Sequence, residues 1–430
     1  MPAIDDRFHE LHAKSLTISQ EAETLFPDGV THDGRKFGPF RVYMDHGLGP
    51  RKWDIDGNEY IDYRTGHGSM ILGQANPAIV KAVQEQVAKG THLSASSELE
   101  VKWGSLVREL VPSSEKLRFV SSGSEAMMMA FRMARTHSGK TKIIKFENAF
   151  HGWADAPFVG AAADNHNNGI PQGVRDTMVV LPYDIEAVEK ALEGGDIAAV
   201  VFQGNQVMQP SFIQQLRDAT TSHGVMLIFD EVVSGFRFSR GGCQGLYGIT
   251  PDLTGMAKIL AGGLNGGCVT GRADIIDTIA PGKIAHPGTF NANPLSAAAG
   301  STALEMVKNE PIGEMADARA AQLKAGINDI LQRMEIPGCA YGVSSIVHMR
   351  LGLDHECDHE YCTEGEQAMM VGSGAGDDTT ALLAQAVVNE GVWGGPTSFI
   401  LSSTHTEADI DQTLESYERA LNSVRSEGAI

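Results

Sequence analysis

Between about residues 75 and 305 the chain alternates short, nearly continuous apolar runs with stretches of helical periodicity. The apolar runs are Leu117–Val120, Ile143–Phe146, Met178–Leu181, Ala198–Phe202 and Val225–Phe229, and helices are predicted over Ser124–Arg135, Ile185–Leu192 and Phe212–Ser222. Strands that are apolar on both faces belong to a sheet covered on both sides, and such sheets are mostly parallel. Ligands then bind beyond the carboxyl ends of the strands. Upstream, a polar amphipathic helix is predicted near Asp5–Glu23. Alternation of apolar and polar residues on both sides of Asp56-Gly57, from Lys52 to Tyr63, predicts a β-hairpin. Downstream of Asn293-Pro294 the pattern predicts a helix to about Lys308, another from Ile312 to about Met334, a strand over Ser345–Leu351, and helices near Thr379–Asn389 and Glu407–Arg425. Three regions follow: 1–65, which joins the small domain; 66–310, a large α/β domain; and 311–430, a small α+β domain.

Charge narrows the function. Lys and Arg number 34 against 54 Asp and Glu, a net charge of −20, and no basic cluster of useful length appears. A nucleic-acid surface is therefore not expected. No apolar run approaches the roughly 18 residues of a membrane span. The opening MPAIDDRFHE has no basic stretch leading into an apolar one, so the expected compartment is the cytoplasm. Cys243, Cys268, Cys339, Cys357 and Cys362 are few and odd in number, which predicts reduced thiols rather than a disulfide framework.

Candidate chemistry gathers at three places. The run ending at Phe229 leads straight into Asp230-Glu231-Val232, and a carboxylate at the buried end of a strand needs a cationic partner. Lys258 stands among small and apolar residues in Met256-Ala257-Lys258-Ile259-Leu260-Ala261, where desolvation lowers an amine's pKa and makes it a nucleophile. Phe119-Val120-Ser121-Ser122-Gly123-Ser124-Glu125 runs from a strand through a Ser/Gly turn into a helix N-terminus, a geometry that binds anions and phosphate above all. Taken singly, these are also a helix cap, a strand-end carboxylate and a surface lysine. Together they are a phosphate cradle, an Asp for a pyridinium nitrogen and a Schiff-base lysine, the parts that pyridoxal phosphate requires.

With these motifs in order, and with the Trp53 hairpin, Phe150-His151-Gly152 and His286-Pro287-Gly288-Thr289 through Asn293-Pro294, nearly the whole chain resembles a known family. It is similar to the class III, fold-type-I aminotransferases, in the branch with glutamate-1-semialdehyde aminomutase and the β-amino-acid and amine transaminases. The resemblance implies a mostly parallel seven-stranded sheet with helices on both faces, a smaller α+β domain, pyridoxal 5'-phosphate as cofactor, and a homodimer with its sites at the subunit interface. It implies that Lys258 holds the cofactor as an internal aldimine and shuttles the substrate proton, and that Asp230 pairs with the ring nitrogen. Phe150 and Val232 would flank the ring. Ser122, Gly123 and Ser124 would take the phosphate, His151 would join the cofactor-binding set, and Thr289 would reach the phosphate of the neighbouring subunit. Arg35 matches an arginine for the substrate carboxylate, which a guanidinium grips with two hydrogen bonds, and His67 would face the same pocket. The implied activity is ping-pong transfer of an amino group from a primary amine or β-amino acid to a keto acid such as pyruvate. Glutamate-1-semialdehyde 2,1-aminomutase is the alternative, and a catalytically dead, cofactor-binding regulatory protein is the alternative from another class.

The chain departs from the family pattern at Thr31-His32-Asp33, at Ala261-Gly262-Gly263-Leu264-Asn265 and at Phe202-Gln203-Gly204-Asn205-Gln206, where the family carries Glu-Pro. Gly391 to Ile400 lacks the glutamate that the aminomutases place there, which favours transfer between molecules. The segment Asp354 to Cys362 brings His355, Cys357, His359 and Cys362 together, but without the paired C-x2-C spacing of zinc sites, and is expected to be a solvated loop without metal. Gly372 to Asp377 misses the dinucleotide fingerprint and is expected to be a linker.

Overall fold

The computed structural model of the chain describes residues 3–161, 167–354, 357–362 and 377–430. His355 and the stretch Gly372–Gly376 lie outside these residues. The chain divides into two compact units, one of Met1–Asn76 with Glu314–Ile430 and one of Pro77–Gly313.

In the first unit, β1 (Met44–Leu48), β2 (Arg51–Asp54) and β3 (Glu59–Asp62) form an antiparallel meander, and the short strand Val392–Trp393 adds in parallel to β3. The predicted hairpin is the β2–β3 pair, and its turn is held by Asp54 Oδ1, which accepts the Asn58 amide at 2.8 Å. The single N-terminal helix that periodicity predicts is two, Ile4–Leu11 and Ala13–Leu25, because His12 leaves helical geometry with φ −125° and ψ 38°. Its buried imidazole bridges Phe8 O and the Tyr60 hydroxyl, each at 2.7 Å, which ties the break to β3. A three-stranded antiparallel sheet, Gly338–Tyr341, Ile346–Leu351 and Ser398–Ile400, packs with helices Ile312–Arg333, Asp377–Asn389 and Glu407–Ser426. Ile61, Leu323, Val347, Val387, Phe399 and Tyr417 meet in their common core. Residues 66–76, grouped above with the large domain, belong to this unit: Gly49 bridges Gln74, and the Ser403 amide donates to Ile71 O at 2.8 Å. Cys339 and Cys357 are joined sulfur to sulfur, with Cα atoms 6.1 Å apart. The expectation of five separate thiols is corrected at this pair.

The second unit carries seven strands: β4 (Lys116–Val120), β5 (Lys142–Phe146), β6 (Met178–Leu181), β7 (Ile197–Gln203), β8 (Met226–Glu231), β9 (Leu253–Ala257) and β10 (Gly267–Gly271). Their order is β4-β10-β9-β8-β7-β5-β6, with β10 antiparallel to both neighbours and the other pairs parallel. This is the expected mostly parallel sheet of seven strands. The apolar runs predict five of them. Strands β9 and β10 escape because close packing keeps their side chains small. A Cβ at Gly255 would overlap Met127 Sδ of the helix Gly123–Ser138, and this helix packs on β9 and β10 through its buried methionine and alanine face. Among the described residues no helix is long and apolar enough to cross a membrane.

One buried group in the first unit predicts an acid-sensitive fold. His348, in strand Ile346–Leu351, is buried with neither ring nitrogen hydrogen-bonded among the described residues. Burial, assisted by the neighbouring Arg350, pushes its pKa from 6.5 down to about 4. The unfolded chain therefore takes up a proton before the folded one does, so this contribution to stability is complete above pH 6.5 and lost as the pH falls toward 4. The drop is worth about 3 kcal/mol. Urea unfolding at pH 7 and pH 4.5 should find His348→Phe less acid-sensitive than the parent by about that amount; equal pH slopes would contradict it.

Candidate active site

Strand register brings the three predicted places together. Gly267 of β10 pairs with Val120, the last residue of β4, and with Ala257, the last residue of β9. The Ser/Gly turn after β4 and the Lys258 turn after β9 thus leave the same end of the sheet on either side of one glycine. A Cβ on Gly267 would lie 2.6 Å from Ser122 O and 3.0 Å from Met256 O, so no other residue fits between these backbones. On the far side of β9, Asp230 of β8 aligns with Gly255 and with Gln203 of β7.

The turn after β4 is built for an anion. Ser122 caps the helix Gly123–Ser138, its hydroxyl accepting the Glu125 amide at 3.2 Å, while Glu125 Oε2 accepts the Ser121 amide at 2.7 Å. These contacts fix the turn and leave the Gly123 and Ser124 amides ahead of any intrahelical acceptor, at the positive end of the helix dipole. Two glycines dovetail the neighbouring segments. A Cβ at Gly123 would stand 2.8 Å from Val232 Cγ1, and one at Gly152, where φ is 102°, would stand 2.7 Å from Ser124 Cα. The Phe150-His151-Gly152 turn is thereby pressed against the cradle.

Asp230 is buried with 4% of its surface exposed. Its Oδ1 accepts the Val232 amide at 3.0 Å and its Oδ2 lies 2.7 Å from His151 Nδ1. Burial lowers the His151 pKa more than the hydrogen bond and charge of Asp230 raise it, so the imidazole is neutral and Nδ1–H donates. Two neutral donors thus hold the carboxylate without neutralising it. Lys258 opens a 3₁₀ turn with φ 54°, a left-handed conformation that costs a residue with a Cβ about 1–2 kcal/mol. Burial lowers its pKa, the attraction of Asp230 opposes the shift, and Arg237 reinforces it. Phe150 leaves 52% of its surface open, and its amide donates to Gln203 Oε1 at 2.9 Å.

Thr289 lies on an exposed loop and its carbonyl accepts from His92 Nε2 at 2.9 Å. Arg35 and His67 belong to the first unit, where both line a cleft of about 500 Å³ together with Arg41, Trp393, Gly394 and Gly395. Arg35 donates to Thr31 Oγ1 at 2.9 Å, so the departure at Thr31 supplies its partner. The His67 ring lies 5.0 Å from that of His32.

Three residues of the second unit had no role in the sequence reading. Glu231 is fully buried and accepts the amides of Cys243 (2.7 Å) and Gln244 (3.1 Å) and the Ser234 hydroxyl (2.8 Å), which folds the loop after β8 behind Asp230. Gln203, at the departure from Glu-Pro, holds the Phe150 turn. Lys145 is buried in β5, donates to Pro157 O at 2.8 Å, and has its pKa pushed down to about 7 by burial against the attraction of Asp230. A lysine inside the run Ile143-Ile144-Lys145-Phe146 was the available signal.

These residues fit pyridoxal phosphate. Gly123 and Ser124 can offer amides to the phosphate, the glycines leave room for close approach, Asp230 is a buried carboxylate with no Lys or Arg bonded to it among the described residues, and Lys258 is an amine whose hold on its proton is weakened by desolvation.

Comparison with known proteins agrees. Residues 34–421 match the family model described as aminotransferase class-III. The chain is 36% identical to glutamate-1-semialdehyde 2,1-aminomutase 2 of Brevibacillus brevis over 95% of its length and 98% of that protein. It is 35% identical to glutamate-1-semialdehyde 2,1-aminomutase 1 of Staphylococcus aureus over 96% and 99%. Among solved structures it superimposes on an omega-transaminase from Sphaerobacter thermophilus with a TM-score of 0.87 and 31% identity, covering 96% of this chain and 98% of that one. A β-phenylalanine aminotransferase from Variovorax paradoxus gives 0.83 and 26%, with 99% and 97% covered.

The Gly267 contact yields a direct test. Gly267→Ala forces backbone against backbone, so it should cost about 1–3 kcal/mol of stability and displace Ser122. A lower melting temperature together with cofactor loss on gel filtration is expected; full cofactor retention would contradict the close approach.

Proposed function

Because the chain belongs to the class III aminotransferases, enzymes that depend on pyridoxal 5'-phosphate, we propose that it moves an amino group from a primary amine or β-amino acid to a keto acid such as pyruvate in two half-reactions. Bound pyridoxal phosphate supplies the carbonyl that receives the donor nitrogen and an electron-poor ring that stabilises negative charge at the donor carbon. Asp230 keeps the ring nitrogen protonated, and the His151 and Val232 donors keep Asp230 in place. Lys258 Nζ, whose pKa is lowered by burial, would take the proton from the donor carbon and pass it to the cofactor, and in the second half-reaction would carry a proton from the cofactor to the acceptor carbon. The Gly123 and Ser124 amides anchor the phosphate. Arg35, which the resemblance matches to an arginine for the substrate carboxylate, would grip the carboxylate of the acid partner.

The observation that supports transfer between molecules is in the sequence: Gly391 to Ile400 lacks the glutamate that the family resemblance implies for the aminomutases. The aminomutase reading has support of its own, since curated relatives at 36% and 35% identity bear that name. A single turnover separates them. After donor amine converts the bound cofactor, regain of its original visible absorbance should require added pyruvate. Regain without any keto acid, with glutamate-1-semialdehyde consumed and 5-aminolevulinate formed, would establish the aminomutase.

Lys258→Ala should lower transamination by at least about 10³-fold while the protein stays folded and keeps noncovalent cofactor; borohydride reduction should no longer attach cofactor to the peptide that spans residue 258. Attachment persisting there or on another lysine would refute the assignment. Arg35→Ala should raise KM for pyruvate or a β-amino acid about 10- to 100-fold, the value of a lost hydrogen-bonded charge contact, and change KM for a simple arylalkyl amine little. An equal loss for both partners would refute the role of Arg35.

A further inference from the structure

The cleft of the first unit is positively charged in a chain whose net charge is −20. Its walls include four cations, Arg35, Arg41, Lys52 and Arg64, against two carboxylates, Asp45 and Asp62. Both carboxylates are engaged. Asp45 Oδ2 lies 2.8 Å from His46 Nδ1. Asp62 Oδ1 accepts Lys52 Nζ (3.0 Å) and the amides of Arg64 (3.0 Å) and Thr65 (3.2 Å), and its Oδ2 accepts Gln74 Nε2 at 3.1 Å. Two of the cations are engaged as well, Lys52 by Asp62 and Arg41 by Glu23 at 3.4 Å and by Asp28 O.

Arg35 and Arg64 remain. Arg35 is bonded to the neutral hydroxyl of Thr31, and the guanidinium of Arg64 has no hydrogen bond or ion pair among the described residues. Arg64 is open to the cleft, yet enough protein surrounds it that burial lowers its pKa while Asp62 opposes the shift. A partly desolvated cation without an anion carries a cost that an anionic ligand relieves. The two arginines leave turns that touch. A Cβ at Gly34 would stand 3.7 Å from His67 Nε2, the rings of His32 and His67 are 5.0 Å apart, and the Gly68 amide donates to Arg64 O at 3.2 Å. Both arginines therefore line one space of about 500 Å³, within the range of small-molecule sites. Each guanidinium can fork onto a carboxylate with two hydrogen bonds, so the pair selects a ligand that has two carboxylates.

We propose that Arg64 is a second carboxylate anchor beside Arg35, and that the cleft takes a small dicarboxylate, which makes the acid partner of the amino transfer a keto acid with a second carboxylate. That this ligand is a reactant rests on the transaminase reading; that it binds does not.

The test is the binding of unreactive acids to the full-length, pyridoxal-phosphate-loaded protein by isothermal titration calorimetry. Among succinate, glutarate and adipate, the tightest should bind at about one per chain and at least about 10-fold more tightly than butyrate, the value of one added charge-assisted contact. Arg64→Gln should bring that dicarboxylate to within about twofold of butyrate, and Arg64→Lys, which keeps the charge without the fork, should recover part of the difference. A parent protein that binds no dicarboxylate more tightly than butyrate overturns the proposal, and so does a preference that survives intact in Arg64→Gln shown to be folded by circular dichroism. If the dicarboxylate binds as expected but its keto counterpart does not restore the cofactor's absorbance after the donor half-reaction, the site stands and the transfer reading fails. If pyruvate restores the absorbance while no dicarboxylate exceeds butyrate, the transfer reading stands and the role of Arg64 fails.

Discussion

A carboxylate buried at the end of a central strand, and not neutralised by the protein around it, is the constraint on which the second unit's site depends. Asp230 is held by His151 at 2.7 Å and by the Val232 amide at 3.0 Å, both neutral donors. Leaving such a charge without a cation costs several kcal/mol, a cost that a protonated ring nitrogen of the cofactor would offset in the role proposed for Asp230. The same charge opposes the burial-driven fall in pKa of Lys258, Lys145 and His151. One anion thus biases three bases, of which Lys258, the base of the proposed reaction, is half-buried and His151 is wholly buried.

Around this charge the geometry is set by absent side chains. Gly267 lets β4 and β9 end side by side, Gly123 lets the phosphate cradle meet Val232, and Gly152 lets the aromatic turn meet Ser124. Each contact is closer than a Cβ permits. The positive φ of Lys258 adds local strain at the residue proposed to hold the cofactor. Glu231, next to Asp230 in sequence, faces the other way and secures the following loop through hydrogen bonds from Ser234, Cys243 and Gln244.

Much of this is legible in the sequence, for physical reasons. Strands buried on both faces are mostly apolar, so β5, β7 and β8 announce themselves, the edge strands β4 and β6 show shorter apolar runs, and helices with one buried face, such as Ile185–Leu192, keep their period. Asp230, Lys258 and the Ser122 turn stand out because charge or glycine interrupts an apolar context. Strands β9 and β10 do not, because the packed methionine and backbone neighbours demand Gly, Thr and Ala, whose pattern is that of a loop. The break at His12 was hidden because it depends on Tyr60, 48 residues away. The roles of Lys145 and Gln203 do not show in the sequence because their partners, Pro157 O and the Phe150 amide, are also distant in the chain. Long-range partnership is what periodicity and motif cannot carry.

The most direct test of the central claim is the protonation state of the cofactor's ring nitrogen, read by ¹⁵N NMR on protein loaded with ring-labelled pyridoxal phosphate. If the buried Asp230 charge governs the site, the nitrogen is protonated in the parent at pH 8 and deprotonated in Asp230→Asn under the same conditions. An unprotonated nitrogen in the parent, or the same protonated signal in both proteins, would contradict the account.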